Sequence, residues 1–371
     1  MPAEGQTKTA AVLAACVVAL AAFAWPGSAS GARWVVKGRG WGHGVGMSQQ
    51  GAFGLAQHGR GYREILHHYY RHTRIGRAGS HTLEVLIGSG SDSVTFRKAR
   101  KACGQRLGRH RGYRFRRSGS DVILRRVHGT KIASCGRTGT ASGGGKIRIG
   151  GQGVYRGKLK ATASGGELLL INAVGLEAYV KGVVPNEVPA SWPRAALRAQ
   201  AVAARSYALA TSGVGTFDLY DDTRSQVYEG KSSETRRTNT AARGTSGLVV
   251  RYSREVATTY FFSTSGGQTE SAQYGFPGSD PVPYLQSVRD PYDGGSPYHR
   301  WKVRYSQSEM ESRLSGLFSG RLRRIKVLQR GDSPRIVKAR VVGSGGSSKV
   351  SGPGLQARLD LLSTWASFLK R

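Results

Sequence analysis

The stretch Gly182-Val183-Val184-Pro185-Asn186-Glu187-Val188-Pro189-Ala190-Ser191-Trp192-Pro193, with the alanine-rich run behind it, constrains this chain more than any other part. Proline fixes its own φ and restricts the residue before it, so Pro185 and Pro189 stiffen the backbone around Glu187. The pattern predicts a proline-framed turn, then a helix from Pro193 to about Ala210 with proline in its first turn. Ala195, Ala199, Ala201, Ala203, Ala204 and Ala208 allow that helix to pack closely. A rigid turn leading into a helix can aim a single acid. The competing reading is that a glutamate near a helix start caps it or complements its dipole. Gln200 and Arg205 interrupt the alanines, facing either a site or solvent.

Charge narrows the partners. The chain has 371 residues, with 56 Lys and Arg against 22 Asp and Glu, a formal charge of +34. Such an excess points to nucleic acid, an anionic membrane or an anionic cell wall, and says little about fold. The N-terminus selects among these. Lys8 precedes an apolar run from Ala10 to Ala24, and Ser28-Ala29-Ser30 offers a small-residue cleavage site, so residues 1–30 read as a secretory signal peptide. The alternatives are an uncleaved anchor, for which the run is short, and a lipoprotein site at Leu13-Ala14-Ala15-Cys16. Export weakens the nucleic-acid reading. It also leaves Cys103 and Cys135, two cysteines expected to pair outside the cell.

After the signal, Gly38 to Gly46 alternates glycine with Arg39, Trp41, His43 and Val45, which lets the backbone approach another surface closely. The spacing fits neither a dinucleotide fingerprint nor a P-loop. His43, alone among glycines beside Trp41, has no helix face to pack on and is a candidate site residue. Ser48 caps an expected short helix ending at Gly59, and a second helix is expected over Tyr62–His72. His68 and His72 have the i, i+4 spacing of metal ligands, but no third ligand is evident, and packing is the favoured role.

From Thr82 to Gly166 the text reads as short strands and turns, including Leu83–Ile87 and Asp121–Leu124. Residues 94–160 hold nineteen Lys and Arg against the single acid Asp121. Such a field attracts polyanions, and Phe115 and the tyrosines between the arginines offer stacking surfaces. Further expected elements are a strand at Glu167–Asn172, a polar loop from Phe217 to Tyr228, a helix over Glu234–Arg243, a strand over Thr258–Phe262 and strands near 325–328 and 336–342. The fold class is α+β. The expected organisation is a signal (1–30), a glycine-rich docking segment (31–78), a basic strand-rich region (79–166) and a core bearing Glu187 (167–371).

Together, several of these stretches resemble the stage II sporulation protein D and LytB amidase-enhancer family (SpoIID/LytB). They are Leu176 to Trp192, Ala199 to Ala208, Ser225-Gln226-Val227-Tyr228, Ser265-Gly266-Gly267-Gln268-Thr269-Glu270 and Gly40 to Gln49. The resemblance implies an exported wall protein, either a lytic transglycosylase acting on peptidoglycan glycan strands or a non-catalytic protein that modifies a wall amidase. In the first branch Glu187 matches the catalytic acid. His43, Gln200, Arg205, Ser225, Gln226, Tyr228 and Glu270 then become candidate substrate-binding residues. Two departures stand out. The Gly-His-Gly segment here precedes the Glu-bearing region instead of following it, so it must dock back on the core like a circular permutation. Some spore-forming relatives carry a zinc-binding cysteine where Ser225 stands; neither metal nor cofactor is expected here. A third reading is an exported basic protein binding anionic polymers or nucleic acid through residues 94–160.

A transglycosylase suits a site with one firm acid. Hydrolytic glycosidases normally need two carboxylates. When the substrate's own C6 hydroxyl attacks, one carboxyl can protonate the leaving oxygen and then accept the hydroxyl proton. Val183, Val184, Val188 and Trp192 offer the desolvation that would raise its pKa.

Overall fold

The computed structural model describes residues 33–213 and 215–371. The expected signal peptide lies outside the described residues. The described chain is mixed α and β, with many short strands and eight helices: α1 (Gln49–Gln57), α2 (Tyr62–Tyr69), α3 (Leu176–Glu187), α4 (Arg194–Thr211), α5 (Arg236–Arg243), α6 (Ala272–Gly275), α7 (Gln307–Arg313) and α8 (Gly352–Leu359). No described helix is long and apolar enough to cross a membrane.

Three apolar cores organise these elements. The largest is shared by two mainly antiparallel sheets and α3 to α5. In Gly112–Ser118 the burial alternates, turning Tyr113 and Phe115 inward and leaving arginines outside. Phe115 and the tyrosines of the basic region, Tyr113 and Tyr155, are therefore core residues and not stacking platforms. The sheets come close at Gly139, where a methyl group would meet Phe115 Cε1 at 2.7 Å. Cys103 and Cys135 form a disulfide in this region.

The second core gathers α1, α2 and one side of α4. Helix α4 explains its own composition: Ala196, Leu197, Ala201, Ala204 and Ala208 face the first core, while Ala199, Val202 and Ala203 face the second. A helix buried on both sides needs small side chains to let its neighbours approach. The third core lies between a four-stranded antiparallel sheet and a three-stranded sheet in which Arg33–Gly38 is central, paired with Trp301–Ser306 and Ala366–Lys370.

Several expected elements shift for identifiable reasons. The proline-framed turn is the end of a helix: α3 runs through Pro185 and finishes at Glu187. Pro185 deprives the Lys181 carbonyl of its helical donor. The last turn is held instead by Val188 N bonding the Val184 carbonyl at 3.2 Å, and by Asn186 Nδ2 donating to Gly182 O at 2.7 Å and Ser233 Oγ at 3.0 Å. Pro189 does end the helix, forcing Val188 to an extended φ of −142°. Helix α2 stops at Tyr69 and not His72, because the Tyr70 ring is drawn into the second core and His72 adopts a left-handed φ of 59°. His68 and His72 thus do not share a helix face. Helix α5 begins after Thr235, which caps it, while Glu234 pairs with Arg156. Of Thr258–Phe262 only Phe261–Phe262 pairs as strand, parallel to Met47–Ser48.

The glycine-rich segment behaves as its spacing requires. Gly40, Gly42, Gly44 and Gly46 all have positive φ, between 75° and 106°. A methyl group on Gly44 would meet Arg335 Nε at 2.6 Å, and one on Gly46 would strike the Tyr260 carbonyl. The segment leaves the third core, passes the mouth of a cavity and enters the second core through α1.

Candidate active site

A cavity of about 460 Å³ opens where these layers meet. Glu187 lies on its wall, partly exposed, at the C-terminal end of α3. A carboxylate there opposes the helix dipole, so the capping reading of this residue does not hold. Glu187 Oε1 accepts from Val227 N at 3.0 Å, and Oε2 accepts from Gln49 Nε2 at 3.3 Å. Atoms packed around the carboxyl raise its pKa, against the two hydrogen bonds, which favour the anion. Among the described residues lining the cavity, Glu187 is the one acid.

Much of the rest of the wall is aromatic, with Arg224, Thr223 and Ser263 completing it. Tyr207, Tyr260, Phe262 and Phe276 line it, and Trp41, 42% exposed, stands at the rim with its ring 4.5 Å from that of Tyr298. Burial raises the Tyr207 pKa, as do the nearby Tyr260 and Glu187, so this hydroxyl stays a donor.

His43 lines the cavity, but both ring nitrogens are occupied. Nδ1 accepts from Val45 N at 3.1 Å, so Nε2 carries the proton and donates to the Phe261 carbonyl at 3.2 Å. Burial, with Arg335 nearby, holds its pKa down at about 4 despite the bond to Phe261. The imidazole is neutral, packed against Phe262 and Phe276. Ser225 also lines the cavity, and its hydroxyl accepts from Tyr220 N at 3.1 Å, closing the loop that carries Val227.

The other candidates lie behind this wall. Gln226 is buried, accepting from the Tyr179 hydroxyl at 3.0 Å. Tyr228 donates to Asn172 Oδ1 at 2.7 Å. Gln200 is buried in α4, with neither amide atom hydrogen-bonded. Arg205 does not face solvent: it is 0% exposed, forms a two-pronged pair with Glu177 at 2.8 and 2.9 Å, and donates to the Leu248 carbonyl. Burial alone would raise the Glu177 pKa, but Arg205 and Gly247 N hold it below the usual value. Glu270 is likewise internal, accepting from Ser271 N and Asp332 N at 3.0 Å and from Ser333 Oγ at 2.7 Å. It fixes the loop before Arg335, whose guanidinium abuts Gly44. So the structure brings His43, Glu187 and Ser225 to the cavity and places Gln200, Arg205, Gln226, Tyr228 and Glu270 in its supporting layers. Among the described residues no group of three or more His, Cys, Asp or Glu side chains could hold a metal ion.

Gln49 was not among the sequence candidates, nor were Tyr207, Val227, Tyr260 and Phe276. Gln49 follows the capping Ser48, but nothing local signals a partner 138 residues away.

Residues 164–252 match the family model described as Stage II sporulation protein, SpoIID. The match covers under a quarter of the chain and marks similarity to that family over this segment alone. That segment includes Glu187, Gln200, Arg205, Ser225, Gln226 and Tyr228, while His43 and Glu270 lie outside it. The chain is 37% identical over 134 residues to the amidase enhancer of Bacillus subtilis, covering 36% of this chain and 18% of that protein. It is 32% identical over 168 residues to stage II sporulation protein D of the same organism, covering 40% and 48%. A Brachyspira hyodysenteriae protein described as uncharacterized is 38% identical over 138 residues, covering 36% and 37%. The chain spans less than half the length of each of these relatives.

Proposed function

We propose that this protein is a cell-wall lytic transglycosylase that cleaves peptidoglycan glycan strands, with Glu187 as general acid and base. One observation carries the reading: a lone carboxyl of raised pKa faces a cavity walled by aromatic rings. Aromatic faces suit sugar rings, and a protonated carboxyl suits a leaving glycosidic oxygen. The bond from the anomeric carbon to the leaving oxygen breaks as Glu187 gives that oxygen its proton. The C6 hydroxyl of the same sugar then bonds to the anomeric carbon, and its proton returns to Glu187. No water is consumed, so a second carboxylate to activate one is not required. Gln49 and Val227 N steady the carboxylate between the two transfers. Neutral His43 holds the Phe261 carbonyl and shapes the wall.

Export, wall location and attraction to anionic wall polymers through the basic region belong to the same reading, as does the absence of any metal or cofactor. Mass analysis of digested peptide-free glycan strands tests it. Anhydromuramic ends are expected from the wild type and not from Glu187→Gln. The likeness to an amidase enhancer favours a second reading, in which the chain binds wall and modifies an amidase without cutting glycan. That reading stands instead if no anhydro product forms while the chain stimulates an amidase equally with and without Glu187.

A further inference from the structure

A second cavity, of about 560 Å³, lies on the other side of the glycine-rich segment. It is lined by Lys37, Arg39, Arg300, Lys302 and Arg330, with no acid among the described lining residues. Two indoles complete it. Trp301 lies across Gly38 and donates to the Gly40 carbonyl at 2.8 Å, while Trp365 is held between Arg39 and Arg335, whose guanidinium carbons are 5.3 and 5.5 Å from its ring centre. Lys37 and Lys302 sit directly opposite each other in the antiparallel pairing, and both are exposed. Like charges so placed destabilise a sheet. Here they line one cavity with three arginines beside two fixed aromatic faces, a one-signed field that favours an anion.

We infer that this Trp301–Trp365 cavity binds an acidic saccharide, a sugar ring bearing carboxylate or phosphate. The cations take the acid and the indoles take the ring. The site adjoins the Glu187 cavity through one continuous segment: Trp41 lines the Glu187 cavity and Arg39 the Trp301–Trp365 cavity, two residues apart. A polymeric strand can therefore occupy both.

Titration calorimetry on the full chain carrying Glu187→Gln, so that no probe is cut, tests this. The probes are a peptide-free muramic-acid-containing oligosaccharide, a sugar-phosphate oligomer, an uncharged N-acetylglucosamine oligosaccharide and a ring-free glycerol-phosphate oligomer. Adding Lys37→Gln and Lys302→Gln should weaken one or both acidic saccharides about tenfold or more and flatten their salt dependence, with the uncharged oligosaccharide unaffected. Which acidic saccharide responds identifies the source of the acid. Thermal melting without ligand should stay level or rise, because a repulsion has been removed. The inference is overturned if neither acidic saccharide is weakened, if the ring-free oligomer binds as tightly and loses as much, or if the substitutions lower the melting temperature. Failure of the wild type to cut glycan would sink the transglycosylase reading and leave these affinities untouched.

Discussion

At the residue scale, Glu187 combines three conditions: aromatic and aliphatic packing, a helix C-terminus and two hydrogen-bond donors at 3.0 and 3.3 Å. Glu187→Gln should reduce turnover of glycan about 10²–10⁴-fold with binding largely retained, as for loss of a general acid, and single-turnover kinetics checks this. The same residue makes a pH prediction. Its folded pKa is raised above the ordinary 4.5, so folding favours the protonated form. Its stabilising contribution is full below the ordinary value and is lost as pH rises through the raised one. Wild type should therefore lose melting temperature relative to Glu187→Gln across that window, and parallel curves would contradict the assignment. The sequence exposed this acid because prolines and alanines mark it locally. It misplaced Arg205, since the partners that bury that guanidinium, Glu177, Ala242 and Leu248, come from three separate segments.

At the element scale, α3 shows how a helix can carry an internal proline up to a functional end. Asn186 substitutes for part of the missing ladder by bonding Gly182 O and Ser233 Oγ. Asn186→Ala should cost about 1–2 kcal/mol in stability by leaving these groups unmatched. It should also lower turnover, since Glu187 is the next residue. Unaltered turnover in a destabilised variant would show that the carboxyl is aimed independently of this last turn. The helices legible in the sequence were those with caps or strong periodicity: Ser48 before α1 and the alanine run of α4. The end of α3 looks like a turn in sequence because propensity registers the proline and not the side chain that compensates for it.

At the scale of the whole molecule, the first and second cores meet beside one cavity that the glycine-rich segment from the third crosses, and this is the least legible feature. The α+β character follows from pattern, but the pairing of Arg33–Gly38 with strands more than 260 residues away does not. The Cys103–Cys135 bond spans 32 positions of sequence within the basic sheets, and neither cysteine lines the Glu187 cavity. Its reduction should destabilise that part of the fold by about 3–4 kcal/mol on the loop-entropy relation. Glycan binding at the cavity should survive at temperatures where the fold persists. Melting and binding measured with and without reductant would separate the two, and loss of binding in a folded, reduced protein would contradict the separation.

Arg33 and Arg371 exchange backbone hydrogen bonds at 2.9 and 2.8 Å, beside the strand that leads to Trp41 and His43. During synthesis, that strand is made long before Trp301–Ser306 and Ala366–Lys370, the two strands that hold it. The segment that carries Trp41 and His43 to the cavity is thus held at both edges only once those later strands have paired with it. A chain clipped before Ala366 would keep Glu187 on its helix, yet lose one edge of the strand that positions Trp41 and His43.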